Sequence, residues 1–118
     1  MKLKIEYVTD HGELKDERIV LRAVEDVNVG EFMIADTTYQ GSDSVSNKLR
    51  HTFWVPDKDV DKGDLVVIYT KSGTDSEKEN KSGSKTHFFY WGLEKTVWNK
   101  NSDAALLIEI RNWAHKSV

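Results

Sequence analysis

A chain of 118 residues, 38% hydrophobic and 10% aromatic, suits one domain with one core and is too apolar to be disordered throughout. Its formal net charge of −3 offers no chain-wide basic field for a nucleic-acid backbone, so nucleic acid is disfavoured as a partner. The absence of cysteine excludes disulfides, iron–sulfur clusters and thiol catalysis.

The first residues, "MKLKIEYV", set lysines against Leu3 and Ile5, and Glu6 interrupts before a signal-peptide core could form. No run approaches the ~18 apolar residues of a membrane span. The expectation is a soluble, cytoplasmic protein with no membrane partner. Leu3, Ile5 and Tyr7 alternate with polar residues as a half-buried strand does, and "TDHGEL" follows as a turn, with Gly12 free to take positive φ. "ERIVLRAV" places Ile19, Leu21 and Ala23 on one face, and "GEFMIAD" does the same with Phe32 and Ile34. "YQGSDSVSN" reads as a polar loop. In "KLRHTFWVP", Phe53 and Val55 point one way while Arg50, Thr52 and Trp54 point the other; Pro56 ends the run.

"DLVVIYT" is apolar from Leu65 to Tyr69, as in a strand covered on both faces. Residues 71–86, "KSGTDSEKENKSGSKT", contain no apolar side chain and read as a mobile charged loop, because a segment that buries nothing cannot offset its ordering entropy. "THFFYWGL" is an aromatic strand. "SDAALLIEIRNWAHK" fits two structures. A helix would be capped by Ser102 or Asp103, with Leu106, Ile110 and Trp113 at helical spacing. Alternatively, a strand runs over Ala104–Ile110, turns at Arg111-Asn112, and resumes at Trp113. Many short strands separated by turn residues indicate a β-sandwich or barrel in a single domain, 1–118.

Three segments carry a resemblance. They are "DERIVLRAVEDVNVGEFMIAD", "FWVPDKDVDKGDLVVIYTKSG" and "KTVWNKNSDAALLIEIRNWAHKSV". Their order and turn chemistry resemble the lamin tail domain, from about Ile5 to Val118 and best over Val97 to Leu107. The resemblance implies an immunoglobulin-like antiparallel β-sandwich of about seven to nine strands, and it tips the ambiguous segment toward strands. It also implies that Trp98 closes a corner into the sandwich while Asn99, Asn101 and Asp103 serve the turn, as side chains that bond nearby backbone can. The family's glycine in the last hairpin is replaced here by Arg111-Asn112-Trp113, and the 71–86 segment has no counterpart in it. The expected core is Ile5, Ile19, Leu21, Phe32, Ile34, Phe53, Val55, Val67, Phe89, Trp98, Leu106 and Ile108.

Signals for chemistry are few. "DKDVDKGD" alternates Asp57, Asp59 and Asp61, but its glycine falls one place late for a calcium loop and Ile68 stands where a closing Glu is needed. A solvated turn is the better reading. His11, His51, His87 and His115 have no metal-site spacing, and no phosphate loop or nucleophile elbow is present. No metal, cofactor or catalytic residue is nominated; an enzyme would need a cleft in which His51 or His87 meets a carboxylate. The expected role is that of a non-catalytic interaction or structural module. It would bind a protein partner through loops or an exposed sheet face, with Trp54, Trp91 and Arg50 as contact residues. The alternative is a carbohydrate-binding module presenting two or more coplanar, open tryptophans.

Overall fold

The computed structural model describes residues 1–40, 44–99 and 103–118. Its strands are β1 (Leu3–Thr9), β2 (Arg18–Ala23), β3 (Val27–Asn28), β4 (Phe32–Gln40), β5 (Ser44–Val45) and β6 (Thr52–Trp54), followed by β7 (Asp59–Val60), β8 (Leu65–Tyr69), β9 (Ser76–Glu79), β10 (Lys85–Tyr90) and β11 (Asp103–Glu109). One sheet runs β1-β2-β8-β10-β9. The other is centred on β4, whose Ile34 pairs with Leu107 of β11 on one side and Phe53 of β6 on the other, while β5 pairs with the far end of β4. The inward faces meet in one core: Leu3, Ile19, Leu21, Val66, Ile68 and Phe89 from the first sheet, Phe32, Ile34 and Val55 from the second. The chain is thus an all-β sandwich. Alternation filled this core because the strand period of two sends every second side chain inward.

Four details depart from expectation. Eleven strands are formed among the described residues, more than the seven to nine anticipated, since short ladders such as β3–β7 carry little sequence signal. The sheets are not wholly antiparallel, because β8 and β10 run parallel, Leu65 to Tyr69 against Thr86 to Tyr90. Strand phase was misjudged in three places. Ala105 and Leu107, rather than Leu106 and Ile108, pack on the core. Val67 is buried on the outer face opposite Val20, while Val66 and Ile68 turn inward. A register shift between Ile5 and Tyr7 leaves Tyr7 exposed and swings Val8 toward the core. Finally, Asp103–Glu109 is a strand, but residues 110–118 form no second one, and the expected last hairpin is absent.

Two segments read as loops contain strands. β5 continues the "YQGSDSVSN" segment's pairing, Tyr39 with Val45, whereas Gly41 to Asp43 lie outside the described residues. Within 71–86, β9 pairs antiparallel with β10, Glu79 opposite Lys85. Main-chain pairing needs no apolar side chain, so a wholly polar strand gives no periodic signal. Lys and Glu on such a sheet edge also discourage pairing with other chains.

Glu77 of β9 is bridged by Lys58 at 2.9 Å and Lys85 at 3.2 Å. Hydrogen bonds from these two ammonium groups, Lys58 first, and then their charges pull its carboxyl down to about 2. A carboxyl-resolved NMR titration should therefore place Glu77 well below the ordinary glutamate value, and Lys58→Met should move its midpoint up. An unshifted midpoint in the variant would mean that the bridge does not form in solution.

The sandwich is tied together by one buried acid. Glu17, with no exposed surface, accepts hydrogen bonds from the Gly12 amide (2.9 Å), the Thr70 hydroxyl (2.6 Å), the Val97 amide (2.9 Å) and the Trp98 amide (3.3 Å). The β1–β2 turn, the end of β8 and the Trp98 corner thus meet at one carboxylate.

Candidate functional site: an open tryptophan cleft

β6 alternates across its sheet, so Phe53 faces the core and Trp54 faces water. Trp54 is 46% exposed, and its indole N–H donates to the Gly30 carbonyl at 2.8 Å, which fixes the plane of the ring. Gly30 must be glycine here: a Cβ would fall 2.8 Å from the Asp57 Cα, inside that residue. After β11 the chain is held by the Ile110 amide, which donates to the Glu31 carbonyl at 2.7 Å, and it then carries Trp113 back toward Trp54. Trp113 is 61% exposed and meets Trp54 at 5.2 Å between ring centroids, with the planes 85° apart. The two indoles form a right-angled corner in a cleft of about 960 Å³.

The cleft's charged lining is Glu31, Asp57, Glu109 and Arg111. Among the described residues none of the four forms an ion pair, although Asp57 accepts a bond from the Asn28 amide group at 3.2 Å. Three carboxylates against one guanidinium make the cleft locally negative.

The three residues singled out from sequence do not come together. Trp54 lines the cleft just described. Trp91 is half-buried at the edge of the core, 5.9 Å from Phe53 and 6.0 Å from Trp98. Arg50 lies before β6, beside a second cleft of about 480 Å³. There its Nε donates to Asp36 at 3.1 Å and its Nη2 is paired with Asp103. His51 lines the same cleft, and its backbone amide and Nδ1 contact the buried Asp36 at 2.8 and 2.9 Å. A histidine–carboxylate contact in a cleft therefore exists. Asp36 is, however, engaged by Arg50 and by the backbone of residue 51, which joins the start of β6 to β4, and among the described residues His51 bonds to Asp36 alone.

The second such pair is enclosed. His87 Nε2 lies 2.8 Å from Asp64, both are buried, and the Lys85 and Asp61 amides also donate to Asp64, each at 3.0 Å. Asp57, Asp59 and Asp61 do not converge, and among the described residues no group of three or more His, Cys, Asp or Glu could hold a metal ion. At the corner, Trp98 is buried and Asp103 accepts from the Asn99 amide at 2.8 Å; Asn101 and Ser102 lie outside the described residues. A second aromatic group on the outer face, Tyr69 with Tyr90 and Phe88, is occupied from within. Arg18 and Lys71 lie over Tyr69, Lys78 lies over Phe88, and Gly73 sits against the Tyr90 ring.

Compared with known proteins, the chain matches no family model and no curated protein sequence. The geometry alone carries the functional reading.

Sequence reasoning found Trp54 but not its partner. Trp113 sits among polar residues in "RNWAHKSV", and its nearness to Trp54 depends on how β11 and β6 flank β4. The one available signal was a large aromatic with no apolar neighbour at sheet spacing, Arg111 and His115 standing two residues to either side.

Proposed function

We propose that this domain is a non-catalytic interaction module that docks a protein partner in the Trp54–Trp113 cleft. The observation that carries the reading is two tryptophans, each about half exposed or more, fixed at right angles in an open cleft. Exposed large aromatics are costly in a small soluble domain and recur as the anchors of protein interfaces, where they supply contact area with little entropy to lose. β6 contributes a second element of recognition. Among the described residues it pairs with β4 alone, so its other backbone edge has no strand partner and offers a place for an added strand from an extended peptide. The adaptor role implied by the resemblance to lamin tail domains agrees with this reading.

A carbohydrate platform is less well supported, because sugar rings lie flat on coplanar aromatics and these two planes stand 85° apart. Catalysis at His51 is likewise less well supported, since the geometry gives Asp36 a joining role. The test is selection of a displayed peptide library on the intact chain, followed by titration of the enriched peptides against Trp54→Ala and Trp113→Ala, each checked for folding by circular dichroism. The expected result is binding that weakens at least tenfold in both variants. Enriched peptides that bind both variants as well as the parent would place the interface elsewhere, and enrichment on a glycan array alone would favour the carbohydrate reading.

A further inference from the structure

We propose that the ligand feature read by this cleft is a cation: the ammonium head of a lysine side chain in a basic partner segment, bound more tightly when N-methylated. The inference rests on the docking role proposed above and goes beyond it by naming the chemistry of the anchor.

Three observations converge. First, two indole faces at right angles are the walls that a compact cation requires, because the negative face of each ring attracts positive charge. Second, no described lysine or arginine covers these faces, although the His115 ring lies 6.1 Å from that of Trp113. Among the described residues the cation–ring contacts involve Tyr69 and Phe88, and none involves Trp54 or Trp113. Third, Glu31, Asp57 and Glu109 line the same cleft with only Arg111 opposing them, so the local field favours a positive ligand. The Trp54 indole is also set in advance by its bond to the Gly30 carbonyl, so binding need not order that wall. Methylation strengthens the contact because a trimethylammonium keeps the charge, needs no hydrogen-bond acceptor and is only weakly hydrated, so less is lost when it leaves water. The carboxylates at the rim then act through their field and do not have to bond the ligand directly.

The probes are N-acetyl-lysine amide, its trimethylated form, and the neutral analogue that carries tert-butyl in place of trimethylammonium. Tryptophan fluorescence and calorimetry on the full chain are the readouts. The trimethylated probe should bind about tenfold more tightly than the neutral isostere, with unmodified lysine between them. Trp54→Ala and Trp113→Ala should each abolish the difference. Trp54→Phe, which keeps a ring but loses the bond to Gly30, should retain part of it and guards against a folding artefact. The Glu31→Gln, Glu109→Gln double variant should weaken the cationic probes several-fold and leave the neutral one unchanged, and added salt should do the same. Equal binding of charged and neutral probes would overturn the proposal, as would no binding of any probe at millimolar concentration. If library peptides bind in the cleft without a cationic residue, the docking role stands and this inference falls.

Discussion

Replacing Glu17 with alanine is expected to destabilise the domain by about 4 kcal/mol or more, a large part of the ~5–15 kcal/mol typical of such a fold. Four donors lose their acceptor at once: the amides of Gly12, Val97 and Trp98 and the Thr70 hydroxyl. Each donor left dry costs about 1–3 kcal/mol, less whatever water can recover by entering the space. Glutamine, the usual isosteric control, should rescue little. Backbone amides donate to both carboxylate oxygens, Gly12 and Trp98 to Oε1 and Val97 to Oε2, so either orientation of a glutamine amide sets N–H against N–H. Urea denaturation of the parent, Glu17→Ala and Glu17→Gln would measure this. A glutamine variant within about 1 kcal/mol of the parent would show that the four bonds contribute far less than typical buried charge-assisted bonds.

Asp64 should give the second largest effect, with a dependence on pH. Its carboxylate stands at the head of β8 and accepts from the Lys85 amide at the head of β10, which sets the two parallel strands in register, as well as from Asp61 and His87. Asp64→Ala is expected to cost about 3 kcal/mol at neutral pH, because it strands buried donors. Burial alone would push this carboxyl up. The hydrogen bond from His87, followed by those from the Lys85 and Asp61 amides, outweighs burial and holds the group below the usual aspartate range. A folded value lower than the unfolded one means that ionised Asp64 stabilises the native state. That contribution is fully present above the unfolded aspartate value near pH 4, and it fades as pH falls through the folded value. The stability gap between the parent and Asp64→Asn should therefore shrink steadily as pH falls below about 4. A gap independent of pH down to 2 would exclude the ionised form as the stabilising one.

Period-two alternation made the sandwich legible, since Ile19 with Leu21 and Phe32 with Ile34 need only adjacent sequence to declare an inward face. Phase failed in β1 at the register shift between Ile5 and Tyr7, and elsewhere where both faces are apolar. Leu65–Tyr69 of β8 and residues 104–108 of β11 are apolar throughout, and only pairing with β2, β10 and β4 decides between Val66 and Val67 or between Leu106 and Leu107. β9 was invisible for the opposite reason, having no apolar side chain to count. The candidate site was half legible. Trp54 stood out because its strand neighbours Phe53 and Val55 face inward, whereas Trp113 becomes its partner only through the path of the chain beyond β11. Glu17, Asp36 and Asp64 carry no mark in the sequence, since nothing local distinguishes a solvated carboxylate from one that gathers distant backbone donors.

The contacts of Glu17 reach to Thr70, Val97 and Trp98, more than fifty residues along the chain. Such an acid cannot be satisfied by any collapsed globule that lacks the finished topology, because its donors arrive from opposite ends of the sequence. Misassembled compact forms must either bury it dry or leave the space around it flooded, and both raise their free energy. The carboxylate thus widens the gap between the native arrangement and its competitors, which is a way of encoding uniqueness rather than mere cohesion.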